Sequence, residues 1–361
     1  MVKDAPAAPR LFFLCFVRLA ASQRVEVFTV SSFVNRPGAV SEALAKAIAA
    51  VRTRSSWNDR LDHWERPPSE SEEAQIQRAA AMVRNALSGS AWLAAESVTI
   101  EPQGSYHNNT NVRQEADMDL RAMHPSLKVE YGPGVIAENA DASAGLVTLP
   151  RALSSIAGDM RAEMSRSLIG AFGTSNVAVG TKAIRVDKRV GSRADVDIVP
   201  AFGYRWITWN SALRLYDVAE GVAILGTDGS WTRNFPAQHT ANGVAKRART
   251  KLRFKKVVRS LKRLRDEMVE MGMLEKRRAP SFFIECLAHW AGDDCYLDEG
   301  DDRYGRILRV LNRLESLLLD PNYYSAATEV NGIKLLFHAS QPWMTADALA
   351  FVQAAKARLR C

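Results

Sequence analysis

The sequence predicts an α/β fold of the α+β kind, in which a lobe built on a mixed sheet packs on a helical C-terminal lobe across a cleft. Two segments with alternating aspartates, residues 116–123 and 194–199, place strands in the middle of the chain. From Val244 onward, apolar residues recur instead at helical spacing. A chain of 361 residues, 47% hydrophobic and 24% charged, is long enough for two lobes with buried cores.

Residues 1–56 form an N-terminal extension of weak pattern, with helical spacing over 40–51 and a Pro37-Gly38 turn before it. Residues 59–64 lead into Pro67-Pro68. Ser69 then opens a helix with the acidic first turn Glu70, Glu72, Glu73, because carboxylates favour the positive helix N-terminus. Ile76, Ala79, Met82, Val83 and Leu87 mark its buried face, and Gly89 its stop. Val98-Thr99-Ile100 reads as a strand, Gln103-Gly104-Ser105 as a turn, and 132–144 as a loop. A helix is expected at about 153–172, then a hairpin pairing 183–186 with 194–199 across 187–192. Asp228-Gly229 turns a second hairpin. In the helical part, Phe254, Val257, Val258, Leu261, Leu264, Met268 and Met271 form one stripe, and further helices cover 281–290, 304–319 and 345–359.

Cys15, Cys286, Cys295 and Cys361 are too few and too scattered for a disulfide framework, which points to a reducing cytoplasm. No apolar run reaches the roughly 20 residues that span a bilayer. The nearest, residues 11–17 (LFFLCFV), is short for a secretory signal and is followed at once by Arg18, so a buried N-terminal element, or an upstream start codon, is the expectation. The net charge of +8 predicts an anionic partner, either nucleic acid or nucleotides.

The chemistry-bearing pattern is Gly104-Ser105 followed, twelve residues after the serine, by Asp117-Met118-Asp119-Leu120. On a strand, Asp117 and Asp119 share one face while Met118 and Leu120 enter the core. Paired carboxylates raise each other's pKa, a conflict that a divalent cation removes, and hard Mg²⁺ prefers carboxylate and phosphate oxygens. Gly104 allows close backbone approach to a phosphate, and Ser105 adds a hydroxyl at the start of a helix. A second acidic strand, Asp195-Val196-Asp197-Ile198, repeats the alternation. Either strand alone would also suit a solvated sheet face. If the two pair, three or four carboxylates converge, as two-metal phosphoryl transfer requires.

The order of these segments is that of the polymerase-β-like nucleotidyltransferases. PQGSYHNNTNVRQEADMDL, RADVDIVPAF, NFPAQHTANGVAKR, FKKVVRSLKRLR and PSFFIECL resemble the bacterial cGAS/DncV-like nucleotidyltransferases (CD-NTases). The likeness begins near Trp64 and covers roughly residues 57–320. It implies a nucleotidyltransferase core at 57–243 and a helical C-terminal lobe at 244–361, with the active site in the cleft. By the same resemblance, Asp117 and Asp119 bind two Mg²⁺ ions (Mn²⁺ can substitute), and Asp197 is the third carboxylate, activating the hydroxyl nucleophile. Asp197 is preferred to Asp195 because Ile198-Val199-Pro200 follows it as in the family pattern. Gln103, Gly104 and Ser105 hold the donor triphosphate, Lys262 and Ser281 grip it from the other lobe, and Phe282 stacks on the donor base. The implied activity joins ribonucleoside triphosphates into a cyclic di- or trinucleotide second messenger for anti-phage signalling. That product would act on a separate effector, and a regulatory protein partner is compatible with the family.

The alternatives are transfer of a nucleotide to an antibiotic, a protein or an RNA end, and a nucleotide-binding protein without catalysis. The basic helix within 246–278 reads as a solvated face with one or two phosphate contacts in preference to a nucleic-acid-binding surface. Cys286, His289, Cys295 and His338 offer ligand types for zinc, but Cys286 lies on an apolar helix face, and a buried cysteine is the expectation.

Overall fold

The computed structural model describes residues 37–112, 117–144 and 151–360. Residues 11–17, Cys15 and Cys361 lie outside them. The chain divides into two units, Met1–Arg52 and Thr53–Cys361, and of the first only the opening of helix α1 (Pro37–Trp64) is described. Pro37 therefore begins a helix and not a turn. A proline fits the first helical position because the N–H it lacks would have no partner there. Residues 59–64 belong to the same helix.

Ser69 caps α2 (Glu70–Ser88) with a capping box: its side chain accepts from the Glu72 N–H, and Glu72 accepts from the Ser69 N–H at 2.7 Å. After α3 (Ala91–Ala95), β1 (Thr99–Gln103) runs straight into the single turn α4 (Gly104–His107). β2 (Met118–Tyr131) continues well past the expected end of the strand. Its register with its neighbour shifts between His124 and Leu127, around Pro125, a residue tolerated in sheets at such irregularities. The segment expected to be a loop contains helix α5 (Ala137–Ala144), and α6 (Leu153–Phe172) occupies the expected span.

The short strands β3 (Val177–Val179) and β4 (Ile184–Val186) lead to the long β5 (Val196–Asn210), which hairpins into β6 (Leu215–Leu225) and then β7 (Trp231–Asn234). β2 and β5 pair in parallel, and the remaining pairs are antiparallel, in the order β1-β2-β5-β4-β3 with β6 and β7 continuing from β5. β5 passes through Pro200 without breaking. Its outer neighbour changes there from β4, last paired at Ile198, to β6, first paired at Phe202. A missing N–H interrupts no ladder on that side.

Seven residues of one sheet face, Met118, Leu120, Ala122, Ile184, Val186, Val196 and Ile198, meet the buried sides of α2 and α6 in the core of the sheet lobe. The helical lobe consists of α7 (Pro236–Arg249), α8 (Phe254–Glu270), α9 (Ser281–Trp290), α10 (Arg303–Leu318), α11 (Pro321–Tyr324) and α12 (Thr345–Leu359). Its core includes Trp57 and Leu61 of α1 beside Phe254, Leu261, Phe283, Leu311 and Phe351. No helix among the described residues is long and apolar enough to cross a membrane.

Candidate active site

Strand pairing brings the acidic segments together. Asp119 stands opposite Asp197 in the parallel β2/β5 ladder and opposite Gln103 in the antiparallel β1/β2 ladder. The turn that follows Gln103 folds back onto Asp119. Gly104 has φ +70°, and a methyl group added to it would lie 2.0 Å from Asp119 Oδ2, so only glycine fits. Gln103 Nε2 reaches the Leu120 carbonyl at 3.3 Å, which ties the turn to the strand.

Asp117 is exposed at the mouth of β2, and Asp197 is half-buried. Burial, reinforced by Asp197 and Asp117, pushes the Asp119 carboxyl up to about 7, with Lys262 opposing. Burial also raises Asp197, against the pull of Arg185. Asp195 is engaged elsewhere. It accepts the Lys188 N–H at 2.8 Å and pairs with Arg185 at 2.9 Å.

Asp119 opens onto a cleft of 890 Å³ lined also by Gln103, Gly104, Ser105, Lys262, Ser281 and Phe282. Seven of the nine expected nucleotide-binding and catalytic positions line this cleft, the six nucleotide-binding ones and Asp119; Asp117 and Asp197 are not in its lining, although Asp197 is in register with Asp119. Lys262 is buried in the wall of the cleft. Its ammonium donates to the Thr110 carbonyl at 2.9 Å and lies 3.7 Å from Glu285, and burial lowers its pKa against Glu285. Ser281 Oγ accepts from Arg265 at 3.1 Å. Phe282, 39% exposed and lining the cleft, stacks on His239 with ring centroids 5.6 Å apart and lies 6.1 Å from the ring of Trp343.

Other cations of the basic helix are also committed within the protein. Lys256 pairs with Glu65, Arg259 donates to the Glu65 carbonyl, and Arg265 to the Ala279 carbonyl. Buried carbonyls and carboxylates draw them inward, because a buried cation needs such partners.

Sequence reasoning missed the buried pair His239–Glu285. Glu285 accepts from Thr110 Oγ1 at 2.8 Å and lies 3.0 Å from His239 Nε2. Burial would raise Glu285, but His239, Lys262 and Thr110 together hold it down to about 2. A lone glutamate inside the apolar helix SFFIECLAHW was the available signal.

Among the described residues, no three His, Cys, Asp or Glu side chains are gathered as a ready-made metal cage. Cys286, His289, Cys295 and His338 therefore form no such group, and Cys286 and Cys295 are buried free thiols. The aspartates likewise form no finished cage on their own. Their donor chemistry fits a divalent cation, since bare carboxylates held side by side repel, and phosphate oxygens supply the remaining ligands of Mg²⁺.

Residues 241–360 match the family model of the cGAS/DncV-like nucleotidyltransferase C-terminal helical domain. A cyclic dipyrimidine nucleotide synthase, CdnE, of Legionella pneumophila is 30% identical over 304 residues, covering 82% of this chain and 95% of its own. A cyclic dipurine nucleotide synthase of Elizabethkingia meningoseptica is 29% identical over 299 residues, 81% of this chain and 94% of its own. The structure of Elizabethkingia meningoseptica CdnE cyclic dinucleotide synthase with GTP and Apcpp superimposes with a TM-score of 0.66 at 26% identity, over 84% of this chain and 98% of that one.

Proposed function

Since the chain belongs to the cGAS/DncV-like nucleotidyltransferases, a family whose chemistry requires a divalent metal, we propose that it joins ribonucleoside triphosphates into a cyclic di- or trinucleotide. The observation that carries this reading is the register of Asp119 with Asp197 beneath Gly104, at the wall of a cleft that Lys262 enters from the helical lobe. The relatives named for dipyrimidine and dipurine products support a cyclic product and differ in the bases they use.

Asp117 and Asp119 would hold two magnesium ions, with Asp197 completing the set. Metal ions so held supply charge neutralisation for the attacking oxygen and for the pyrophosphate that departs. Gly104 and Ser105 hold the β- and γ-phosphates of the donor, with Gln103 fixing their turn. Lys262 and Ser281 meet the triphosphate from the opposite wall, and Phe282 stacks on the base. Asp197 orients the hydroxyl of the acceptor toward the α-phosphorus. A P–O bond forms there as the bond to pyrophosphate breaks, and the hydroxyl proton leaves to a carboxylate or to water. A second such transfer within the linear product closes the ring. Positioning and charge carry this catalysis, since the protein forms no bond to phosphorus. The product then acts on a separate effector in anti-phage signalling.

The test is incubation of the purified protein with each α-labelled nucleoside triphosphate and Mg²⁺ or Mn²⁺, followed by phosphatase. A phosphatase-resistant labelled product is expected, falling by more than about a hundredfold in Asp119→Asn. Label transferred to an added RNA end or small acceptor, or no consumption in any nucleotide mixture, would overturn the reading.

A further inference from the structure

Helix α8 presents a row of cations to one short loop. Lys255, Arg259 and Lys262 share a helix face at spacings of four and three. Lys255 Nζ donates to the Asn108 carbonyl at 2.6 Å, Arg259 Nη1 to the Asn109 carbonyl at 2.8 Å, and Lys262 Nζ to the Thr110 carbonyl at 2.9 Å. Three consecutive carbonyls therefore each take their own cation. Two side-chain bonds hold the same loop: Thr240 Oγ1 to Asn108 Oδ1 and Thr110 Oγ1 to Glu285 Oε2, both 2.8 Å. Asn109 adopts φ +53°, a left-handed conformation that asparagine tolerates better than most residues.

Such anchoring has a cost. Burial lowers the pKa of Lys255 and Lys262 and brings Arg259 down to about 10. Charge-assisted bonds to carbonyls offset that cost only when the loop stays in place. The loop begins directly after α4, whose first residues are Gly104 and Ser105, so fixing residues 108–110 against α8 fixes that turn against Lys262.

We propose that residues 108–110 are a clamp loop, and that Lys255, Arg259 and Thr240 are positioning residues for the donor triphosphate. They touch none of it, but hold Gly104 and Ser105 at a set separation from Lys262 across the cleft. This rests on the reading of Ser105 and Lys262 as triphosphate contacts. None of the three positioning residues lines the cleft.

The probe is magnesium tripolyphosphate, which reports on the phosphate site whatever base the enzyme uses. It is titrated by calorimetry into the wild type, Ser105→Ala, Lys255→Met and the double variant. Each single variant should weaken binding about five- to tenfold, and the double variant no more than the stronger single one, because Lys255 acts through the turn that carries Ser105. Lys255→Arg should restore most of the affinity. Losses that multiply in the double variant, or wild-type affinity in Lys255→Met, overturn the proposal while leaving the triphosphate reading standing. Wild-type affinity in Ser105→Ala overturns that reading and the proposal with it. If Lys255→Met fails to fold, Thr240→Val replaces it in the same cycle, with the same outcomes for and against.

Discussion

Asp195 and Asp197 stand two residues apart on one acidic segment, yet their surroundings assign them different tasks. Asp195 is buried between the Lys188 N–H and the Arg185 guanidinium. Asp197 lies in register with Asp119. Asp195→Asn should therefore cost about 1 kcal/mol in denaturant unfolding, since it weakens the hydrogen bonds of a buried carboxylate whose partner Arg185 is half-exposed, while activity per folded molecule changes little. Asp197→Asn should abolish synthesis and leave the unfolding midpoint near that of the wild type. His289 is a second informative residue. Packed edge-on against Phe254 at 5.8 Å, it is held down to about 4 by burial, with Lys246 adding to the effect. The unfolded chain takes up this proton near pH 6.5, whereas the folded chain does so only near pH 4. Stability is therefore lost as pH falls through that window. His289→Phe should flatten the acid-side loss between pH 6.5 and 4 by about 1–2 kcal/mol, measured as unfolding midpoints across pH.

At the scale of elements, local chemistry and the demands of the site coincide in some segments and part in others. The capping box on α2 is purely local, because Ser69 and Glu72 satisfy each other's backbone donors. Ser69→Ala should cost about 1 kcal/mol in denaturant unfolding, with no effect on the rate of synthesis. β5 is the opposite case. It carries Asp197 at one end and the hairpin to β6 at the other, and it continues through Pro200 only because its outer partner changes there. A residue that usually ends strands thus sits in the middle of the longest one. α8 likewise reads locally as an amphipathic helix with a solvated basic face, but its cations are spent on the carbonyls of a neighbouring loop and on Glu65.

At the scale of the molecule, the helical lobe is completed by a segment from far earlier in the chain. Trp57 is 2% exposed within the same core as α8, α10 and α12, with the guanidinium groups of Arg60 and Arg358 at 4.5 and 4.8 Å from its ring. Asn58 accepts the Tyr304 N–H at 2.9 Å, and Arg303 pairs with Asp62 at 2.6 Å. Trp57→Ala should cost about 3–5 kcal/mol in thermal or denaturant unfolding, as a full-sized core cavity does. The loss should exceed that of any surface change on α2.

By itself, the sequence determined what alternation, periodicity and turn chemistry encode over a few residues. Met118 and Leu120 enter the core with Asp119 between them on the other face, Leu153–Phe172 and Ser281–Trp290 keep helical spacing, and Asp228-Gly229 turns a hairpin. These features depend on neighbours along the chain, so they survive in any reading of it. The tertiary structure decided whatever depends on partners distant in sequence. It brought Asp197 beside Asp119, pressed Gly104 onto that carboxylate, and buried Lys262 between Thr110 and Glu285. It also turned the Gly-rich stretch before Ala137 into the approach to a helix, and placed Trp57 and Leu61 in the core of a lobe whose other helices begin at Pro236. The physical reason is the same in each case. A charge or a carbonyl shows its type in the sequence, but which opposite group will neutralise it is settled only when burial makes leaving it unpaired too costly.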